Sequence, residues 1–206
     1  MPKIAYSEAE REQIKEALIT EGLELFAKQG VQHTTVEQIY KRVGISRTFF
    51  YSFFPAKEDL IVQVFCRQRP RIVEHARRLM EDPDLSWHDG VRQFLHDFCY
   101  VREGRFAIMT VEEQKSIFKH LSEDNYAMLR EKQVQFFSDI LKAFGIIADD
   151  TVTKLLSNLL ISAAVVRKAI PGSLPFLFEE VADEMVVFQI DSILRYMEKL
   201  RNQQNK

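Results

Sequence analysis

The stretch that decides the fold is Thr35–Phe54, TVEQIYKRVGISRTFFYSFF. Its opening threonine is followed three residues later by Gln38, a capping-box start for a short helix. Gly44 can end that helix, since glycine adopts the left-handed cap without strain. Ser46 can then cap a second short helix, which Pro55 closes by biasing the preceding residue out of the helical region. Two short helices joined by a tight turn predict a helix-turn-helix.

The apolar residues of this motif fall on one side of each helix. Ile39 and Val43 form the apolar stripe of the first helix, and Ile45 anchors the turn. Phe50 and Phe54 supply the inward face of the second helix. The opposite face, which we expect to meet a partner, consists of Arg47, Thr48, Tyr51 and Ser52.

The residue types on this outer face suit DNA. In a helix-turn-helix the second helix lies in the major groove, with its first residues on the base edges. Arg47 can pair bidentately with guanine, and Thr48 can contact a thymine methyl group. Tyr51 and Ser52 suit phosphate oxygens, which position a protein without reading sequence.

Charge is segregated along the chain. The 206 residues include 28 Lys and Arg against 30 Asp and Glu, a formal net charge of −2. The window from Gln38 to Lys57 carries four cations and no acid, so it holds +4 and the remainder −6. Such a patch is an electrostatic footprint of phosphate binding, although a merely solvated face could carry the same charges and Glu37 lies just outside the window. Motif and charge together favour DNA.

Residues from about Ser7 to Phe65 resemble the DNA-binding domain of the TetR family of transcriptional regulators. The resemblance covers roughly the first third of the chain. It rests on Thr35-Val36 through Ile39, Gly44-Ile45-Ser46, Phe50-Tyr51, Phe53-Phe54 and Lys57-Glu58-Asp59-Leu60.

The resemblance implies a role for each matching position. Thr35 would cap a helix and contact phosphate, and Tyr51 would be an aromatic phosphate contact. Lys57 would grip a phosphate at the positive end of the fourth helix. Base-reading positions would be Arg47, Thr48 and Phe49. The full predicted DNA-binding set is Thr35, Ser46, Arg47, Thr48, Phe49, Tyr51, Ser52 and Lys57.

Three residues depart from the family pattern. Tyr40 stands where alanine is usual at the helix crossing, and Phe49 stands where a small residue is common. Ala56 replaces the Ser or Asn that often caps the fourth helix. Each departure weakens the transfer of a known operator sequence to this chain.

Helical periodicity continues through the rest of the chain and predicts an all-α protein of about nine helices. A first helix runs from the capping box at Ser7 to Gly30. Long helices are expected near residues 57–80, kinked or split at Pro70, and near 86–103, 105–121, 124–144, 149–170 and 175–200. The predicted organisation is a three-helix reading domain (7–56), a larger helical bundle for sensing and dimerisation (57–200) and a polar tail (201–206).

The last two predicted helices favour a homodimer. Both are apolar nearly all around, so one side can pack on the protomer's core and the other on a partner. A monomer's core helix would look similar. A symmetric dimer would place two reading helices ~34 Å apart, which matches a palindromic operator. The predicted dimerisation residues are Leu159, Ala163, Val166, Met185, Phe188 and Ile193.

The middle helices are rich in aromatic residues and methionine, which suit a pocket for a small apolar or aromatic effector. Ordinary core packing would explain the same pattern, for example at Phe94 and Phe98. The resemblance implies a pocket here without saying which residues line it. The candidates are Phe94, Phe98, Arg102, Phe106, Met109, Phe118 and Phe137.

Other classes of protein lack sequence support. The seven scattered glycines form no nucleotide-binding fingerprint, and two cysteines cannot build a zinc clamp or a disulfide framework. Glu-x-x-His, HExxH and GxSxG motifs are absent, so we expect no metal, no cofactor and no enzyme activity. No apolar run approaches the ~20 residues of a membrane span, and a cytoplasmic location is expected.

The sequence therefore favours a ligand-responsive transcriptional regulator, with repression as the preferred mode, acting as a homodimer on double-stranded DNA. The resemblance implies that effector binding moves the helix beginning at Lys57 and releases the operator. One alternative is a helical-bundle small-molecule binding protein without specific operator binding. Another is an all-α enzyme that uses acids such as Glu112 and Glu113.

Overall fold

A computed structural model describes residues 6–100, 109, 111–120, 123–170 and 178–204. Within these ranges every regular element is a helix, which confirms the all-α prediction. A 3₁₀ turn, Glu179–Val181, precedes the last helix. The nine α-helices of the described ranges are α1 Glu8–Gln29, α2 Val36–Val43, α3 Arg47–Tyr51, α4 Lys57–Glu81, α5 Trp87–Cys99, α6 Val111–His120, α7 Glu123–Ala143, α8 Asp150–Ala169 and α9 Ala182–Gln204.

The predicted caps at the N-terminal end of the chain are confirmed. Ser7 Oγ accepts from the Glu10 N–H at 3.3 Å, and the Glu10 carboxylate accepts from the Ser7 N–H at 2.7 Å. Thr35 and Gln38 form the same reciprocal pair of hydrogen bonds at the start of α2. Gly44 ends α2 with φ +78°, a conformation that costs other L-residues about 1–2 kcal/mol. Local sequence chemistry thus sets these helix ends.

Several helices differ from the prediction. α5 ends at Cys99 rather than near residue 103, because Tyr100 leaves the helical conformation. α9 begins at Ala182 rather than near residue 175, after a 3₁₀ turn. Pro70 lies inside an unbroken α4, because packing of α4 against α1, α5 and α7 supports the helix on both sides of the proline. α3 ends at Tyr51 rather than Phe54, and a turn follows in which the Phe54 N–H donates to the Phe50 carbonyl. α9 continues to Gln204, whose side chain accepts from the Ile147 N–H at 3.0 Å.

The buried side chains form two cores. The proximal core joins α1, α2, α3 and the first half of α4, with Ile117 of α6 added. The distal core joins the second half of α4 with α5, α7, α8 and α9. α4 contributes to both: its buried residues are Leu60, Ile61, Val62 and Val64 in the proximal core, and Ile72, Ala76 and Leu79 in the distal core. α4 therefore supplies buried residues to both parts of the chain, and Leu129 of α7 also packs against the proximal core.

Candidate nucleic-acid interface

The proximal core holds α3 in a defined orientation. Ile39 of α2 and Phe50 of α3 are both fully buried, and Ile45 packs beside them from the turn. Ser46 caps α3, since its Oγ accepts the Phe49 N–H at 3.2 Å. The predicted inward face is confirmed, and the opposite face of α3 is directed outwards.

The outward face of α3 presents hydrogen-bonding groups. Arg47, Thr48, Tyr51 and Ser52 are all exposed, as the pattern predicts. The Arg47 guanidinium lies 5.8 Å from the centre of the Tyr51 ring, a cation–π contact. Ser52 Oγ donates to the Phe49 carbonyl at 2.7 Å. A guanidinium and three hydroxyl groups therefore share one accessible surface.

Phe49 is only partly exposed, because aromatic neighbours hold its ring. The Tyr6 ring stacks on it at 4.7 Å between centroids, and the Phe53 ring lies edge-on at 5.0 Å. The Arg11 guanidinium lies 5.5 Å from the Phe49 ring and 4.7 Å from the Phe53 ring. We call these four residues the Tyr6–Phe49 cluster. Tyr6 and Arg11 were not identified from the sequence, since nothing in the helical periodicity relates them to α3.

The start of α4 is tied to the loop before α2. Lys57 Nζ donates to the Val31 carbonyl at 2.7 Å and is partly buried. Ala56 has no side-chain acceptor to cap α4, but its own N–H donates to Asp59 Oδ2 at 2.9 Å, the reciprocal hydrogen bond of a capping box. Thr35, at the start of α2, is exposed. Lys57 thus has a structural role in addition to the predicted phosphate contact.

Acidic side chains offset part of the predicted positive patch. Lys41 Nζ lies 2.7 Å from Glu37 Oε1, and this contact raises the pKa of Lys41 and lowers the pKa of Glu37. Arg42 Nη1 lies 3.1 Å from Glu21 Oε2 and 3.9 Å from Glu24 Oε2, both on α1. The folded surface is therefore less positive than the window 38–57 suggests. Arg47 is the cation that α3 itself presents.

The predicted pocket residues that the structure describes do not form one group, since three share the distal core and two lie elsewhere. Phe94, Phe98 and Phe137 are buried in the distal core, where the Phe94 ring lies 6.1 Å from Phe98. Met109 instead packs on the proximal core, and Phe118 is 43% exposed on α6. Arg102 and Phe106 lie outside the described residues, as do the side chains of Glu112 and Glu113.

The predicted dimerisation residues divide by exposure. Leu159 and Phe188 are 41% and 66% exposed, and Val166 and Met185 are partly buried. Ala163 and Ile193 are buried in the distal core, so they pack within the protomer and offer no free surface. Periodicity could not separate the two sides of these helices because both sides are apolar. Exposed apolar neighbours of Leu159 and Phe188 on α8 and α9 are Leu155 and Val187.

The described ranges contain neither a cluster of metal-ligating side chains nor a helix that could span a membrane. No group of three or more His, Cys, Asp or Glu side chains there could hold a metal ion. None of the helices in those ranges combines the length and apolarity needed to cross a bilayer.

Residues 18–64 match the family model for bacterial regulatory proteins of the tetR family. The HTH-type transcriptional regulator TcmR of Streptomyces glaucescens is 46% identical over 46 residues, 22% of this chain and 20% of that protein. The uncharacterized HTH-type transcriptional regulator YuxN of Bacillus subtilis is 45% identical over 51 residues, 24% of this chain and 18% of that protein. The chain thus matches about a fifth of the length of these curated relatives.

Solved structures match almost the whole fold. A TetR-family regulator from Pectobacterium atrosepticum aligns with a TM-score of 0.59 at 14% identity, covering 93% of this chain and 97% of that one. RolR in complex with resorcinol aligns with a TM-score of 0.58 at 19% identity, covering 95% of each chain. At such identities the likeness establishes the fold alone.

The fold, the motif and the exposed α3 face together define a helix-turn-helix protein with a helical C-terminal part. Its residues 18–64 carry the match to the family model for bacterial regulatory proteins of the tetR family. Its relatives are described as regulators and not as enzymes.

Proposed function

We propose that this protein is a homodimeric repressor that binds a palindromic operator and releases it when a small molecule binds. The observation that carries the proposal is the exposed face of α3, where Arg47, Thr48, Tyr51 and Ser52 stand together. The Ser46 cap and the adjacent buried core hold that face rigid. Rigid presentation lowers the entropy lost when side chains bind.

We assign the specific contacts to the first turn of α3. Arg47 pairs with a guanine and Thr48 contacts a thymine methyl group in the major groove. Phe49 borders the bases, and its position is set by the Tyr6 stack.

Phosphate contacts surround this reading surface. Thr35, Ser46, Tyr51 and Ser52 are exposed polar residues at the ends of α2 and α3 and hydrogen-bond to phosphate oxygens. Lys57, whose ammonium donates to the Val31 carbonyl, adds positive charge beside them.

Dimerisation is assigned to the exposed apolar surface of α8 and α9. Leu155, Leu159, Val187 and Phe188 are each about 40% exposed or more, on two helices that pack against each other. A two-fold axis through such a surface gives each protomer the same contacts, as closed dimers require. Val166 and Met185 border this surface. The reading part (7–56) then projects from a sensing and dimerising part (57–200), which ends in the polar segment 201–206.

Coupling between effector and operator runs through α4, whose side chains pack in both cores. A ligand that favours one position of α4 shifts the population of dimers whose reading helices match the operator spacing. RolR has been solved with resorcinol, which supports a small-molecule ligand for a chain of this fold.

The proposal is tested by selecting random duplexes against the protein at moderate salt. We expect enrichment of an inverted repeat. Arg47→Ala should weaken binding to it by about 1–3 kcal/mol and relax preference at one base pair in each half-site. Arg77→Ala is the matched control, because Arg77 is an exposed α4 residue paired with Glu74 at 2.6 Å, and neither residue belongs to α3, α8 or α9. Absence of any enriched duplex would contradict the proposal and favour a small-molecule binding protein.

A further inference from the structure

A groove of about 1220 Å³ runs between α4 and α7 and is rich in positive charge. None of its lining residues belongs to the predicted DNA-binding, dimerisation or pocket sets. α4 supplies four arginines and α7 two lysines. These cations are Arg69, Arg71, Arg77, Arg78, Lys132 and Lys142.

Only two acids face this charge from the lining of the groove. Glu74 pairs with Arg77 at 2.6 Å, and Asp139 pairs with Lys142 at 3.7 Å. The remaining four cations, Arg69, Arg71, Arg78 and Lys132, are in no ion pair within the part of the chain that the structure describes. The groove therefore holds an excess of positive charge that its own carboxylates do not balance.

The guanidinium of Arg69 is partly removed from water without an acidic partner among the described residues. Burial lowers the pKa of the group. Its partners are neutral: Gln133 Oε1 accepts a hydrogen bond at 2.9 Å, and the Phe136 ring lies 5.6 Å away. A desolvated charge is costly unless an opposite charge balances it. A bound anion would supply that balance.

The groove also has an apolar component. Pro70 and Val73 of α4 and Phe136 and Ala143 of α7 line it between the cations. An inorganic ion would leave this surface uncovered. An organic anion with an apolar body would bury it while its charged groups meet the guanidinium and ammonium groups.

The position of the groove separates it from the reading surface. At ~1.5 Å of rise per residue, Arg69 lies about 18 Å along α4 from Lys57, and Arg78 lies about 31 Å along it. The groove therefore flanks the distal core. It also includes Pro70, which cannot donate the helical hydrogen bond to the Cys66 carbonyl, so α4 is least braced where the groove lies.

We propose that the α4–α7 groove binds a small organic anion that carries at least two carboxylate or phosphate charges on an apolar body. Resting on the proposed function, we assign this anion as the effector. The assignment adds at least two anionic groups to the small apolar or aromatic effector expected from the aromatic composition. Bound across α4 and α7 beside Pro70, the anion biases the position of the helix that both cores share.

Calorimetry on the full-length protein tests the binding. The probes are azelate, a dicarboxylate, and 1-naphthyl phosphate, with 1,9-nonanediol and 1-naphthol as their neutral counterparts. We expect at least one anion to bind about tenfold or more tightly than its neutral counterpart, the ratio expected for about 1.4 kcal/mol of charge-assisted contact. Which anion binds distinguishes a carboxylate from a phosphate ligand. Equal binding of anions and neutral counterparts, or no binding by either anion, would overturn the proposal.

Variants locate the site. The double variant Arg71→Gln/Lys132→Gln removes one exposed cation from each wall and should weaken anion binding about tenfold or more. Arg67→Gln is the matched control, because Arg67 is an exposed α4 residue that pairs with Glu16 at 2.9 Å and does not line the groove. Equal losses in both variants would refute the groove as the binding site.

Cys66 offers a local readout because it lines the groove, whereas Cys99 is buried in the distal core. Saturating anion should slow the reaction of Cys66 with the neutral reagent N-ethylmaleimide at least threefold. No protection, or equal protection by a non-specific duplex, would count against a small-anion site.

The two proposals fail separately. If the anion binds but no operator is enriched, the groove is a ligand site and the proposed regulator function is contradicted. If an operator is enriched but the bound anion does not change the protein's affinity for it, the regulator function holds and the anion is not its effector.

Discussion

The ring of Tyr6 stacks on the ring of Phe49 with centroids 4.7 Å apart and planes inclined by 20°. This contact fastens the segment before α1 to the helix that carries the reading face. Arg11 completes the arrangement from the first turns of α1. The large side chain at position 49, where a small residue is common in the family, therefore has a packing partner that compensates for its size.

Loss of the Tyr6 ring should weaken this anchorage. We expect Tyr6→Ala to lower the free energy of unfolding by about 0.5–1.5 kcal/mol, the usual worth of an aromatic pair, in a urea titration. Tyr6→Phe keeps the ring and should retain wild-type stability. If both variants unfold at the wild-type urea concentration, the stack contributes nothing to stability.

Lys57→Ala should lower both the stability of the protein and the salt dependence of DNA binding, because the ammonium donates to the Val31 carbonyl and is proposed to contact a phosphate. Stability should fall by about 1 kcal/mol through the lost hydrogen bond. The slope of log affinity against log salt should flatten by about 0.9, the value for one phosphate contact. Lys41→Ala is the control, since its ammonium is already paired with Glu37. An unchanged slope would assign Lys57 a structural role alone.

The two cysteines should differ sharply in reactivity. Burial raises the pKa of Cys99 to about 12, so its thiol stays protonated, and unreactive, throughout the range below that pH. Cys66 is partly exposed. At pH 8 we expect N-ethylmaleimide to modify one thiol rapidly and the second only after unfolding, as counted by mass spectrometry. Cys66→Ser should abolish the rapid phase. Two rapid phases would show that α5 opens readily.

Phe188→Asp should convert the proposed dimer to a monomer, because a carboxylate would replace a 66% exposed aromatic on the apolar surface of α8 and α9. Sedimentation velocity at micromolar concentration gives the mass directly. Ile147→Asp is the matched control, since Ile147 is 80% exposed and lies outside those two helices. If the wild-type protein is monomeric, or if the variant remains dimeric, α8 and α9 do not form the dimer interface.

The helix ends near the reading face could be predicted from sequence because their causes are local. Ser7, Thr35, Ser46 and Gly44 act within four residues of their own position. The outward face of α3 follows from the same short-range periodicity. These features need no knowledge of the rest of the chain.

Features that depend on distant residues could not be predicted. The pairing of Arg42 with Glu21 reduces a charge excess that a linear window overstates. Apolar spacing places Phe94 and Ala163 on buried faces, but it does not distinguish the core of one protomer from a ligand pocket or a dimer interface. The cations of the α4–α7 groove come from two helices far apart in sequence, so no sequence motif predicts that they lie together.

The sharing of α4 between both cores has a consequence for unfolding. Loosening the distal core removes support from the second half of α4 and thereby exposes Leu60 and Val64, which the proximal core needs. We therefore expect the two parts to unfold in one cooperative transition, with coincident fluorescence and circular dichroism signals. A substitution in the sensing part can accordingly abolish function by unfolding the reader, without contact to DNA or ligand.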